Sequence, residues 1–173
     1  MSVALTGVPT LETERLILRA PRTEDAEAYI QFYMSDRSQF VGGPKTRRDA
    51  WDFFGTVMGH WIMRGFGLFI LTMRNDDAPL GLVGHWFPDA RPEKEVGWML
   101  FNASQEGKGI AFEAAQTCVD HAWNALKWDH MVSYIAHGND RSCALAERLG
   151  AVEDPNAVDL EHPCHVYRHT RPS

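Results

Sequence analysis

The chain is 173 residues long, carries 17 Lys and Arg against 23 Asp and Glu for a net charge of −6, and is 45% hydrophobic. At roughly 100–200 residues per domain it fits one domain with an ordinary core; the acidic balance excludes general nucleic-acid binding, which needs a clustered basic face, and the apolar content excludes intrinsic disorder. No run reaches the ~18 apolar residues of a membrane span, the opening lacks a basic-then-apolar leader, and the three cysteines, without a CxxC, fit reduced thiols in a cytoplasm rather than a disulfide framework or a zinc site.

Residues 1–14 read as a lead-in, loose over 1–10, to a single domain spanning 1–173. Arg15–Ala20 alternates in part and stops at Pro21, a first strand. Thr23 and Asp25 open a capped helix through Met34, and Val41-Gly42-Gly43-Pro44 breaks the chain. Thr46 caps a second helix to about Arg64, on which Trp51, Phe54, Met58 and Ile62 fall at i, i+3, i+7 and i+11 as one apolar stripe. Phe66–Met73 and Leu80–Trp86 form a hairpin around Asn75-Asp76-Asp77, and Glu95–Phe101 is a fourth strand after the loop 88–92. Gly109 to about Leu126 is a long helix whose small face (Ala111, Ala114, Ala115, Cys118, Val119, Ala122) packs close to a sheet. Met131–Ala136 is a fifth strand, Asp140–Leu149 a short helix stopped by Gly150, and 151–154 and 164–170 are closing strands. The sum is a mixed α/β (α+β) fold, with antiparallel hairpins early and a strand–helix–strand unit later.

The chemistry concentrates after the fourth strand, where Glu106-Gly107-Lys108-Gly109-Ile110-Ala111 leads into the long helix. The first N–H groups of a helix have no internal acceptor and sit at the positive end of its dipole. Gly107 and Gly109 clear side chains from the backbone, Ala111 keeps the next turn small, and Lys108 adds a cation; together these favour a pyrophosphate or similar anion. A plain glycine-rich connection into a core helix is the alternative. The loop fits neither G-x-G-x-x-G, lacking the third glycine, nor G-x-x-x-x-G-K-[ST].

Residues 95–111 resemble the acetyl-CoA-binding core of the GNAT N-acyltransferase superfamily, with 106–111 similar to its Q/R-x-x-G-x-G/A loop. Downstream, Asn139-Asp140-Arg141-Ser142 through Leu149-Gly150-Ala151 resembles N-x-x-S-x-x-L-x-E-K-L-G-F, and Leu11–Arg19 is similar to the T-x-R-L-x-L-R opening of the RimJ/RimL-like branch, which contains protein N-terminal acetyltransferases. The resemblance covers about residues 11–170 and implies a central, mixed, mostly antiparallel sheet of about seven strands, with the fourth and fifth splayed, flanked by about four helices. It further implies that the pantetheine arm of acetyl-CoA lies in that splay along Met99, Leu100 and Phe101. Glu106, Gly107, Lys108, Gly109, Ile110 and Ala111 would hold the pyrophosphate, Asn139 would contact the arm, and Ser142 would lie near the sulfur. The sequence departs from the pattern at Glu106, a carboxylate where the loop has Gln or Arg, and at Ala146, where many members place a Tyr acid.

The implied reaction is direct acetyl transfer in a ternary complex, from acetyl-CoA to a primary amine, either a protein N-terminus or a small molecule. Glu95, at the start of the fourth strand, would be the base, or else a solvated strand-edge carboxylate; Ser142 would be the acid, or else bond backbone in its helical turn. Asn139 suits an N-cap as well as a ligand contact. His85 and His137 end strands near the same edge and are bases or structural residues. Cys143 lacks a nucleophile's partners. His162, His165 and His169 could ligate a metal only on a helix, which Pro163 opposes, so no metal is expected. The break at 40–44 would border the acceptor pocket as a lid or a simple turn. Neither nucleic acid nor membrane is an expected partner, and exposed aromatics would point to a homodimer once burial is known. A non-catalytic acyl-CoA-binding sensor or partner-binding module is the alternative function, and a nucleotide-dependent enzyme using the same loop a remoter one.

Overall fold

The computed structural model describes residues 4–89, 91–158, 160 and 162–171, so residues 1–3 of the expected lead-in lie outside it. The strands are β1 (Leu11–Glu12), β2 (Leu16–Arg19), β3 (Leu68–Met73), β4 (Asp76–Trp86), β5 (Glu95–Leu100), β6 (Met131–Ala136), β7 (Val152–Glu153) and β8 (Cys164–His169). The helices are α1 (Ala26–Met34), α2 (Arg47–Arg64), α3 (Ile110–Asn124) and α4 (Asp140–Arg148), with 3₁₀ turns at Thr23–Asp25, Asp36–Val41 and Ala103–Gln105. Among the described residues no helix is long and apolar enough to cross a membrane.

All eight strands form one sheet in the order β1-β2-β3-β4-β5-β6-β8-β7. The extra strand relative to the sequence reading is β1, where the lead-in folds back so that Leu11 opposes Leu18. Every pairing is antiparallel except β5 with β6. That parallel pair is the expected product of the β5–α3–β6 crossover, and it is barely a pair: Glu95 opposes Val132, Val132 N–H donates to Lys94 O at 2.9 Å, and the strands then part.

The β3–β4 hairpin turns on Arg74-Asn75, with Met73 opposite Asp76. Its register shifts between Leu71 and Met73. At Gly81, β4 lies close against β5: a Cβ there would sit 2.1 Å from Met99 O. Only a glycine permits that approach.

Side chains alternate along each strand, so the sheet has two apolar faces. One packs on α3 through Leu16, Leu18, Phe69, Val83 and Val96, against Ala114, Ala115, Cys118 and Ala122. This is the small-residue face expected for that helix. The other packs on α1 and α2, with Ile70 and Leu82 against Tyr29, Phe54 and Val57. Thr46 caps α2, its hydroxyl accepting from Asp49 N–H at 3.1 Å. The buried face of α2 differs from the stripe its sequence predicts. Phe54 is buried, but Trp51 and Ile62 are 63% and 76% exposed, and the buried line runs Ala50, Phe54, Val57, Trp61 instead. Both lines have helical spacing; the aromatic α1 face takes Ala50, Phe54 and Val57, and β3 takes Trp61, whose ring lies 4.9 Å from that of Phe69.

Candidate active site

A cleft of about 660 Å³ opens where β5 and β6 separate. Its walls include Gly97–Met99 of β5, Ser133–Ala136 of β6, Asn139 and Ser142 at the start of α4, and Phe40, Val41 and Gly42 of the segment between α1 and α2. The break at 40–44 therefore borders the cleft, as expected. Backbone groups of alternate residues in a strand face opposite neighbours. Lys94 O and Val96 O face β6, the latter accepting from Ser133 Oγ at 2.7 Å. By the same alternation the backbone groups of Trp98 and the N–H of Leu100 face the gap.

Glu95 is not the solvated edge residue of the alternative reading. Its side chain is 13% exposed and lies on the α1/α2 side of β5, doubling back over Gly97, where Oε1 is 3.5 Å from the position a Cβ would take. Burial pushes its carboxyl up to about 7, with Arg91 opposing, and Oε2 has no hydrogen-bond partner. Arg91 Nη2 stands 3.4 Å from that oxygen.

Asn139 caps α4: its Oδ1 accepts from Ser142 N–H at 3.4 Å. Ser142 Oγ accepts from the Trp98 indole N–H at 3.3 Å, which leaves its own proton free to be donated into the cleft. Ala146 is fully buried in the small core under α4 with Ile135 and Tyr167. The hydroxyl at Ser142 is thus the one that the α4 motif brings to the cleft.

The glycine loop has the geometry its composition implies. Gly107 and Gly109 take φ of +73° and +75°, which a side chain would strain. Gly109 is the N-cap of α3, and the first helical bond runs from Glu113 N–H to Gly109 O at 3.0 Å, so the N–H groups of Ile110, Ala111 and Phe112 have no helical acceptor. The T-x-R opening anchors this turn. Thr13 Oγ1 and Arg15 Nε donate to the Glu113 carboxylate at 2.5 and 2.7 Å, and Arg15 Nη1 donates to Lys108 O at 3.0 Å. The Lys108 side chain is exposed.

Glu106 meets two guanidinium groups. Arg37 Nη2 donates to Oε1 at 2.7 Å, and Arg141 Nη1 donates to Oε2. The Arg37 bond, with the Coulomb effect of both arginines, holds the carboxyl below its usual range. Arg37 also donates to Leu100 O and Phe101 O, each at 3.1 Å. Of Met99, Leu100 and Phe101, Met99 lines the cleft, Leu100 turns only its backbone N–H toward the gap, and the Phe101 ring packs instead on Tyr29 and Phe32 of α1. Two cations around one carboxylate leave the loop's surroundings net positive, which offsets the departure at Glu106. Neither arginine is marked by the sequence pattern: Arg141 lies at a variable position of the Asn139–Gly150 motif, and Arg37 lies outside any motif.

His85 drops out as a base. It is 0% exposed on the α3 face, Nε2 bonds Cys118 O at 2.9 Å, and burial lowers its pKa to about 4. His137 pairs with His165 at 3.0 Å, and His165 with Glu153 at 2.6 Å, outside the cleft. His169, also held near 4 by burial, bonds Ser133 Oγ at 3.0 Å. Burial raises the Cys143 thiol, consistent with its inert reading. Among the described residues no cluster of His, Cys, Asp and Glu is arranged to hold a metal. Tyr134, unremarked in the sequence, presents a buried hydroxyl with no hydrogen-bond partner to the cleft, its pKa pushed up to about 12 by burial.

The sequence pattern of the Acetyltransferase (GNAT) domain family matches residues 15–152. The crystal structure of an acetyltransferase from Agrobacterium tumefaciens C58 superposes with a TM-score of 0.90 at 35% identity, over 99% of both chains. The Bacillus subtilis protein YkkB is 25% identical over 161 residues, 91% of this chain and 93% of its own. In fold, the chain is also similar to RimL, the ribosomal L7/L12 α-N-protein acetyltransferase in complex with coenzyme A (TM-score 0.74, 17% identity, 94% and 98% coverage). With most of its length matched by the family pattern and its full length by a solved acetyltransferase, the chain belongs to the GNAT acetyltransferase family and is an acetyl-CoA-dependent enzyme.

Proposed function

We propose that the chain transfers acetyl from acetyl-CoA directly to a primary amine, a protein N-terminus or a small molecule, within a ternary complex. The single observation that carries this reading is the β5/β6 gap, with Glu95 on one wall and Ser142 on another. At the start of α3, N–H groups of Gly107 to Ala111 bind the pyrophosphate at the helix dipole, with Glu106 as the link to Arg37 and Arg141. Backbone groups of Trp98 and Leu100, beside Met99, run along the pantetheine arm, and Asn139 contacts it from α4.

Each residue then has a step. An amine enters as ammonium, and Glu95, poised near neutrality, takes the first proton. Attack forms the C–N bond, and the Leu100 or Trp98 N–H groups stabilise the oxyanion. As the C–S bond breaks, Ser142 gives its proton to the departing sulfur and recovers one from the nitrogen, directly or through water. The balance is one amide, one thiol and one released proton. The odd count of three cysteines makes the cytoplasm the expected compartment.

Calorimetric titration with acetyl-CoA, followed by thiol release over an amine library, tests this. Micromolar binding with turnover is expected. Failure to bind at millimolar ligand removes the reading, and binding without turnover on any amine would replace it with a non-catalytic acyl-CoA binder.

A further inference from the structure

The acceptor half of the cleft, beyond the β5/β6 gap, has a charge pattern that narrows the amine. Glu95 Oε2 is buried and lacks a hydrogen bond. Its counter-ion Arg91 stands 3.4 Å away, longer than the roughly 2.7–2.9 Å of a closed charge-assisted bond. Arg91 also lies over an aromatic face, its Cζ 5.2 Å from the centre of the Tyr134 ring. The pair is thus open: a negative and a positive group, adjacent, each with unused bonding capacity and both facing the cleft. Around them the walls are apolar, supplied by Tyr33, Phe40, Phe53, Trp86 and Met99.

From this juxtaposition we infer that the acceptor is an α-amino acid with an apolar, aromatic-sized side chain, its ammonium on Glu95 and its carboxylate on Arg91. The inference rests on the acetyltransferase reading above and sharpens it. An open carboxylate–guanidinium pair is complementary to a zwitterion whose own charges are one carbon apart, and both contacts close to charge-assisted length when it enters. The aromatic wall takes the side chain and excludes water from the pair. A polyamine or an amino-sugar would bring several cations to one buried carboxylate and place one against Arg91. A peptide N-terminus would satisfy Glu95 and leave Arg91 without the second contact. The step is unchanged: the ammonium yields one proton to Glu95, nitrogen bonds the acetyl carbon, and sulfur leaves with the second proton.

The test compares L-phenylalanine, L-phenylalaninamide, phenylalanyl-glycine and spermidine as acceptors for the full chain, by thiol release, with acetyl-CoA affinity measured separately by calorimetry. Phenylalanine should exceed each of the others by at least about tenfold in kcat/KM, one charge-assisted contact being worth that factor. Arg91→Gln should bring the phenylalanine-to-amide ratio near one while acetyl-CoA affinity stays unchanged, and Arg91→Lys should restore part of the preference. Equal use of the amide, the dipeptide or spermidine by the unaltered chain overturns the inference, as does a ratio that survives Arg91→Gln. Loss of acetyl-CoA binding itself would instead bring down the acetyltransferase reading, so the two failures are separable.

Discussion

Replacing Glu95 with Gln should stabilise the protein while disabling it. The carboxyl is held at about 7 against an ordinary 4.5, because burial disfavours its charge more than Arg91 favours it. At ~1.4 kcal/mol per pH unit, that costs the ionised folded state of order 3 kcal/mol. The sign follows from proton counting. Between about pH 4.5 and 7 the folded chain holds a proton that the unfolded chain has released, so stability falls as pH rises through that window and stays lower above it. The amide of Glu95→Gln has no proton to lose. At pH 8 the variant's urea midpoint should lie about 1 M or more above the parent's, given a slope of ~1–3 kcal/mol per M, and at about pH 4, below both values, the two should nearly coincide. His85 and His169, both held near 4, titrate in the opposite sense below 6.5, but they do so in both proteins and cancel in the difference. In parallel, kcat should fall about 10²–10⁴-fold and the acid limb near pH 7 should disappear. Superimposable stability curves for variant and parent, or a variant that keeps both the limb and most of its turnover, would refute the argument.

Ser142→Ala should lower kcat about tenfold or more while leaving KM for acetyl-CoA nearly unchanged, because the hydroxyl is needed as the thiolate leaves; steady-state kinetics in both substrates decides it. Glu106→Gln should lower KM for acetyl-CoA severalfold at low salt, since Arg37 and Arg141 then face the loop uncompensated. The gain should shrink at high ionic strength, as screening requires. Gly109→Ala meets only the Arg15 guanidinium, at 3.6 Å, so its cost is backbone strain at φ +75°, about 1–2 kcal/mol of stability, together with weaker acetyl-CoA binding by calorimetry.

The local signals were mostly sufficient for the fold. Met131–Ala136 is a strand to the residue, Gly150 takes the left-handed C′ conformation, and the 107–109 glycines read directly as an open helix start. What failed was any judgement needing a partner surface. Trp51 and Ile62 match a helical stripe as well as Ala50 and Val57 do, and only the aromatic face of α1 breaks the tie. In the cleft, Glu95 and Ser142 were legible as residue types at motif positions. The burial that tunes Glu95, the indole that holds Ser142 and the two arginines on Glu106 come from segments tens of residues away. His85 shows the converse: a residue of the right chemistry at the right strand end, turned by strand alternation onto the core face and tied to a helix carbonyl.

The parting of β5 from β6 after one residue pair has a consequence for handling the protein. A sheet normally keeps its unsatisfied rims at its outer borders; this one carries a pair of them in its middle. Such rims are templates for a stray extended segment from another molecule, so the empty enzyme should be the form that clumps on storage or warming. A thioester arm lying there would seal the seam and protect by mass action, raising the melting temperature in proportion to the logarithm of its concentration.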